Sequence, residues 1–232
     1  MGVTFALVHG AWHGPWCWER LFEPLRERGL GGVAVDLPCE DPDAGLEACA
    51  AAICAALDGV DDEVVLVGHS LGGLPLSLVP ARRPVRRIVY LSAFVPLAGQ
   101  SMADQFASSP DPILLFDAGL REIDEMGRSR WVDAEATLPV MYGDLCEQDA
   151  RWAFARLRAQ GSRSQVEPHP AALPAVPVTS LVCGDDRIVN PAWSRRVARE
   201  RLGVEPVELA TGHFPMISAP EALAEALAAE AR

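Results

Sequence analysis

Lysine is missing from this chain. All 20 basic residues are arginines, a bias we attribute to the composition of the coding genome and not to any chemistry, and they stand against 32 aspartates and glutamates for a net charge of -12. An excess of this sign repels phosphate backbones and anionic membrane surfaces, which sets nucleic-acid and membrane binding aside. The acidic residues are spread along helices and form no block, as on a solvated surface. No C-x-x-C pair occurs among the six cysteines (Cys17, Cys39, Cys49, Cys54, Cys146, Cys183), and no His/Cys spacing suits zinc, so no metal site is expected. Their apolar surroundings predict buried, reduced thiols and a cytoplasmic setting. The opening run Met1 to Val8 has no basic leader and is too short to span a membrane, so it reads as a first strand. Internal repeats and low-complexity linkers are absent too. What remains is 232 residues, 50% apolar and 22% charged: one soluble α/β domain with room for an inserted subdomain.

Apolar runs and helical periodicity alternate along the chain. Strands are predicted at 3–9, 31–37, 63–68, 87–92, 178–183 and 204–209, with helices at 16–28, 44–58, 70–82, 191–202 and 219–231. Such alternation requires a mainly parallel sheet with helices on both faces. The rhythm breaks from Pro96 to Pro177, where Met102, Phe106, Phe116, Trp131, Met141 and Trp152 stand among charged residues at helical spacings. This stretch reads as several short helices capping the carboxyl edge of the sheet, and Ala171 to Pro177 as a stiff return. The expected division is 1–95 with 177–232 as core and 96–176 as cap.

Between the strand at 63–68 and the helix after it lies Gly68-His69-Ser70-Leu71-Gly72-Gly73. Glycines two before and two after a serine allow the tight strand-to-helix turn that pushes a hydroxyl into the open, the nucleophile elbow. Pro75 sits about one turn into that helix, where the missing backbone donor is tolerable. A serine hydroxyl is a weak nucleophile at neutral pH, so it needs a base and an acid to orient the base. Of the five histidines, the order serine, acid, histidine selects His213, in the loop after the last strand; His9, His69 and His169 are read as structural. The acid belongs in Cys183-Gly184-Asp185-Asp186-Arg187, and Asp186 is favoured because Ile188 and Val189 would pin the loop behind it, while Asp185 would cap or face solvent. Acyl transfer also needs donors for the developing oxyanion, each worth about 3 kcal/mol. The Leu71 amide supplies one, and Ala11, in the small-residue loop after the first strand, is the candidate for the other.

The segment Val8-His9-Gly10-Ala11-Trp12-His13-Gly14-Pro15-Trp16 closely resembles the opening of the plant methylesterase and hydroxynitrile lyase family within the α/β-hydrolase superfamily. The elbow, the Val182 to Arg187 segment and Gly212-His213 follow in the same order and spacing. The resemblance implies an α/β-hydrolase fold with a helical cap after the fourth strand, a Ser70, Asp186 and His213 triad, Ala11 and Leu71 as oxyanion donors, and no cofactor. The family's lyases have threonine where this chain has Gly10, lysine where it has Phe214 and an acidic residue where it has His69. All three differences favour hydrolysis. The expectation is a serine carboxylic-ester hydrolase acting on a small apolar or aromatic ester beneath the cap, with Trp12, Trp131, Met141 and Phe214 lining the pocket. A carbon–carbon lyase on the same triad is the alternative and a small-molecule receptor the third reading; a homodimer is the base-rate assembly.

Overall fold

The computed structural model describes residues 2–109, 112 and 121–231; Phe116, one of the predicted cap aromatics, lies outside them. The chain runs β1 (Val3–Val8), a 3-10 helix (Pro15–Leu21), α1 (Phe22–Glu27), β2 (Gly31–Val35), α2 (Leu46–Ala56), β3 (Glu63–His69), a second 3-10 helix (Ser70–Leu78) and β4 (Arg87–Leu91). The segment that follows holds α3 (Met102–Ser108), β5 (Arg121–Ile123), β6 (Ser129–Trp131), α4 (Ala134–Met141), α5 (Glu147–Phe154) and α6 (Arg163–Val166). Then come β7 (Val178–Cys183), α7 (Pro191–Val197), a π-helical turn (Ala198–Leu202), β8 (Val207–Leu209), α8 (Pro215–Ser218) and α9 (Pro220–Glu230).

Among the described residues the strands form one six-stranded parallel sheet in the order β2-β1-β3-β4-β7-β8. Alternate residues of a strand point to opposite faces, and the core divides accordingly. Phe5, Leu7, Val65, Val67, Val89 and Leu91 pack against Trp18, Leu21 and Leu25 and against Leu223 and Leu227 of α9. On the other face Ala6, Val8, Leu66 and Ile88 meet Ile53 of α2, Leu76, and Trp193 of α7. Both faces are covered, which is why these strands read as unbroken apolar runs.

Several elements differ from expectation: the helix predicted at 16–28 is a 3-10 helix followed by α1, the one predicted at 191–202 ends in the π-helical turn, and the strand predicted at 204–209 is confined to Val207–Leu209. The segment after β3 is a nine-residue 3-10 helix, every residue buried, which ends at Leu78, short of the helix predicted for 70–82. Pro75 cannot donate, and the glycines at 72 and 73 favour no particular helix type, so the segment follows the space between sheet and insertion. The insertion also adds a hairpin, β5 paired antiparallel with β6, to its short helices. Its two ends are drawn together by hydrogen bonds from Gly99 N–H to the His169 carbonyl (2.9 Å) and from His169 N–H to the Gln100 carbonyl (3.0 Å). Cys17, Cys39, Cys49 and Cys183 are buried thiols as expected, but Cys54 is half-buried and Cys146 exposed, because Cys146 is the residue at which the surface chain turns into α5. Among the described residues no helix is long and apolar enough to cross a membrane.

Candidate active site

The loops that leave β1, β3, β7 and β8 emerge at one edge of the sheet, the carboxyl ends of parallel strands, where open α/β sheets bind ligands. Each brings one sequence-predicted group. After β3 the chain reverses at Ser70, whose φ of +52° lies in the left-handed region that costs a non-glycine residue about 1–2 kcal/mol. Its carbonyl accepts from Phe94 N–H at 3.0 Å, which helps to hold the turn. The flanking glycines are there for space: a Cβ on Gly68 would lie 2.6 Å from Leu76 Cδ1 and 2.7 Å from the Gly72 carbonyl, and one on Gly72 would run into the His9 carbonyl. Gly72→Ala is therefore expected to destabilise the fold by about 1–3 kcal/mol, read as a lowered urea midpoint.

Asp186 and Asp185 part company in the structure. Asp186 is 4% exposed; one carboxylate oxygen accepts from Ile188 N–H (2.8 Å) and Val189 N–H (2.9 Å), and the other sits 2.6 Å from His213 Nδ1. Asp185 is exposed and faces a polar hollow shared with Asp144, Arg187 and an edge of His213. The His213 ring thus has Nδ1 held by a buried carboxylate, leaving Nε2 for chemistry. His213 and Ser70 open onto one cavity, walled by Trp12, Trp131, Val140, Met141 and Phe214. No hydrogen bond among the described residues joins Ser70 Oγ to His213. Trp12, Trp131, Met141 and Phe214, the four residues named from sequence, all line this cavity. A second apolar hollow continues past Ser70 toward Leu71, Phe94, Met102 and Gln165, and Ala11 borders both.

Residues 5–226 match the model of the alpha/beta hydrolase family. The chain belongs to that family. Over 250 aligned residues this alpha/beta hydrolase is 28% identical to Methylesterase 2 of Arabidopsis thaliana, covering 97% of this chain and 94% of that protein. It is 40% identical over 114 residues to the protein named "Probable esterase PIR7A" of Oryza sativa subsp. indica; that match takes in 44% of this chain and only 43% of the rice protein's length. In structure it is similar to a pyrethroid hydrolase from Sphingobium faniae JZ-2 (TM-score 0.84, 23% identity, 100% and 98% of the two chains) and to polyneuridine aldehyde esterase (TM-score 0.82, 18% identity, 100% of both). At such identities these two likenesses show the shared fold. The sequence relatives carry the names esterase and methylesterase.

Several neighbours of the site carry no local sequence signal. Asp144, in the insertion, accepts from Gly212 N–H at 2.9 Å and so braces the loop bearing His213. His69 Nε2 donates to the His213 carbonyl at 2.8 Å from below, the structural role expected of it. His13, left without a role by the sequence, is 1% exposed, and burial lowers its imidazole from the ordinary 6.5 to about 3; burial lowers His69 well below 6.5 as well. Both rings fold as neutral bases and both take protons once unfolded. The folded state of this alpha/beta hydrolase accordingly binds fewer protons than the unfolded chain below pH 6.5. Stability present above that pH is expected to fall as the medium is acidified toward pH 3, by of order 1 kcal/mol per pH unit for each ring. Urea midpoints at pH 7, 6 and 5 measure this, and His13→Phe should reduce the slope.

Proposed function

We propose that this alpha/beta hydrolase is a serine carboxylic-ester hydrolase. The observation that carries the reading is that His213, held 2.6 Å from the buried Asp186 carboxylate, opens with the strained Ser70 onto one apolar cavity. In this reading Ser70 Oγ attacks the ester carbonyl carbon while His213 Nε2 takes its proton. The tetrahedral oxyanion is met by the N–H groups of Leu71 and Ala11. His213 then gives the proton to the departing alcohol oxygen, the acyl group stays on Ser70, and water activated by His213 releases the acid. Residues 96–176 act as the cap, with Trp131, Val140 and Met141 as its contribution to the pocket wall.

Apolar hollows on two sides of Ser70 suit small esters with little charge on either the acyl or the alcohol part. Sequence relatives named esterase and methylesterase support the same class. Phe214 places an uncharged buried ring directly after His213, a poor neighbour for a departing cyanide, which favours hydrolysis over the lyase alternative. Six free thiols accord with a cytoplasmic, reducing location.

An alkyl p-nitrophenyl phosphonate tests the reading. One equivalent of nitrophenolate should be released per chain, the adduct should map to the peptide holding Ser70, and hydrolysis of p-nitrophenyl acetate should be lost in step. Undiminished hydrolysis after complete labelling, or an adduct at another residue, would refute it.

A further inference from the structure

His9 and His13 flank Ala11, and neither is used for proton transfer at Ser70. The peptide unit that carries Ala11 N–H has the Gly10 carbonyl at its other end, and that carbonyl accepts from His9 Nδ1 at 2.9 Å. His9 Nε2 in turn accepts from Leu37 N–H at 3.1 Å, which fixes the tautomer. The next peptide unit is held at both ends. Its Ala11 carbonyl accepts from His13 Nδ1 at 2.7 Å, and its Trp12 N–H donates to Gln160 Oε1 at 3.2 Å. With Nδ1 donating, the neutral His13 ring has Nε2 free to accept, and the Tyr142 hydroxyl donates to it at 2.7 Å.

These contacts hold a conformation that the loop would not choose alone. Trp12 has φ +62°, a left-handed setting that persists only where the surroundings over-determine it. The His13 ring is sandwiched between Trp16 (centroids 5.2 Å apart, 24°) and Phe214 (4.6 Å, 25°), so it cannot turn away from Ala11 without breaking both stacks. Tyr142 and Gln160 both belong to the insertion, the first just beyond α4 and the second ahead of α6, and Trp12 Nε1 donates to Ser129 Oγ at the start of β6. A fourth contact runs from Arg158 N–H to the Trp12 carbonyl at 2.8 Å, so the insertion grips the oxyanion loop through at least four hydrogen bonds.

We propose that His13 is a positioning residue for the oxyanion donor Ala11, and that Tyr142, acting through His13, and Gln160 make the aim of that donor depend on how the insertion is seated. The proposal rests on the esterase reading above. A backbone donor contributes to catalysis only while it points at the place where negative charge develops, and an error of about 0.5 Å already weakens it. Phenylalanine at 13 would keep the stacking and lose both hydrogen bonds, and phenylalanine at 142 would lose one hydroxyl and nothing else.

The test compares the full chain with His13→Phe, Tyr142→Phe and the double variant, using p-nitrophenyl acetate turnover and inhibition by an aryl trifluoromethyl ketone, whose tetrahedral adduct with Ser70 places an oxyanion in the hole. Since loss of a whole oxyanion donor costs about 100- to 1000-fold, a misaimed one is expected to lower kcat about 10- to 100-fold in His13→Phe and about 3- to 10-fold in Tyr142→Phe, with KM within about twofold. The ketone's affinity should fall in the same proportion as kcat/KM, and the double variant should be no slower than His13→Phe alone, as required if Tyr142 works through His13. A merely structural role would change the melting temperature without this parallel. Variant kcat values within about twofold of the parent, or a lower kcat with unchanged ketone affinity, would overturn the proposal. Failure of the underlying reading shows elsewhere: the unsubstituted chain would itself lack hydrolysis dependent on Ser70, and both would fall.

Discussion

Alanine at Ser70 is expected to lower kcat for p-nitrophenyl acetate by about a millionfold while the chain still folds, because the group that accepts the acyl unit is gone and only binding and the oxyanion donors remain. The variant keeps a Cβ at a residue with φ +52°, so the backbone strain stays with it. Glycine at the same position removes that strain. Ser70→Gly should be equally inactive yet more stable than the parent by about 1 kcal/mol. Nitrophenolate release together with urea melts of the three chains separates the chemical from the conformational contribution. A Ser70→Ala chain that retained more than about one hundredth of parental turnover would remove the serine from the mechanism.

Asp186→Asn comes second in size, with an expected fall in kcat of about 10⁴-fold. The carboxylate oxygen that accepts from Ile188 and Val189 N–H can be replaced by the amide oxygen, so the loop keeps its shape. The other oxygen, which faces His213 Nδ1, becomes an NH₂ group. An NH₂ there turns Nδ1 into an acceptor and moves the imidazole proton to Nε2, which can then no longer take the serine's proton. Steady-state rates at alkaline pH check this. Asp185→Asn, at an exposed carboxylate that makes no hydrogen bond to the imidazole, should change kcat by less than about twofold, and a large loss there with none at 186 would reverse the assignment.

Much of this was legible along the chain, and the reason is local. β1, β3, β4 and β7 are apolar on both faces, so they announce themselves as short runs without alternation. The elbow shows as glycines around Ser70 because close approach of Leu76 and of the Gly72 and His9 carbonyls leaves no room for a side chain. Asp186 could be preferred over Asp185 because the two apolar residues that follow it anchor the loop. The helix type of 70–78 was not legible: its conformation is settled by burial on every side and not by any pattern within it. The hairpin of β5 and β6 has strands of three residues, too short for alternation to show; its one signal was the turn from Asp124 to Gly127, where the Asp124 carboxylate accepts from Met126 and Arg128 N–H. The contacts of His13 with Tyr142 and of Asp144 with Gly212 join residues 129 and 68 positions apart, and no short-range pattern records such pairs.

The left-handed turn at Ser70 is also a gauge of native order. A backbone held uphill by its neighbours springs back when they loosen, and here the neighbours include the Phe94 amide and the tightly fitted residues around both glycines. In rising denaturant the ability to turn over ester should therefore vanish before the helical signal of circular dichroism does, so that turnover reports on the most fragile part of the molecule and ellipticity on its sturdier remainder.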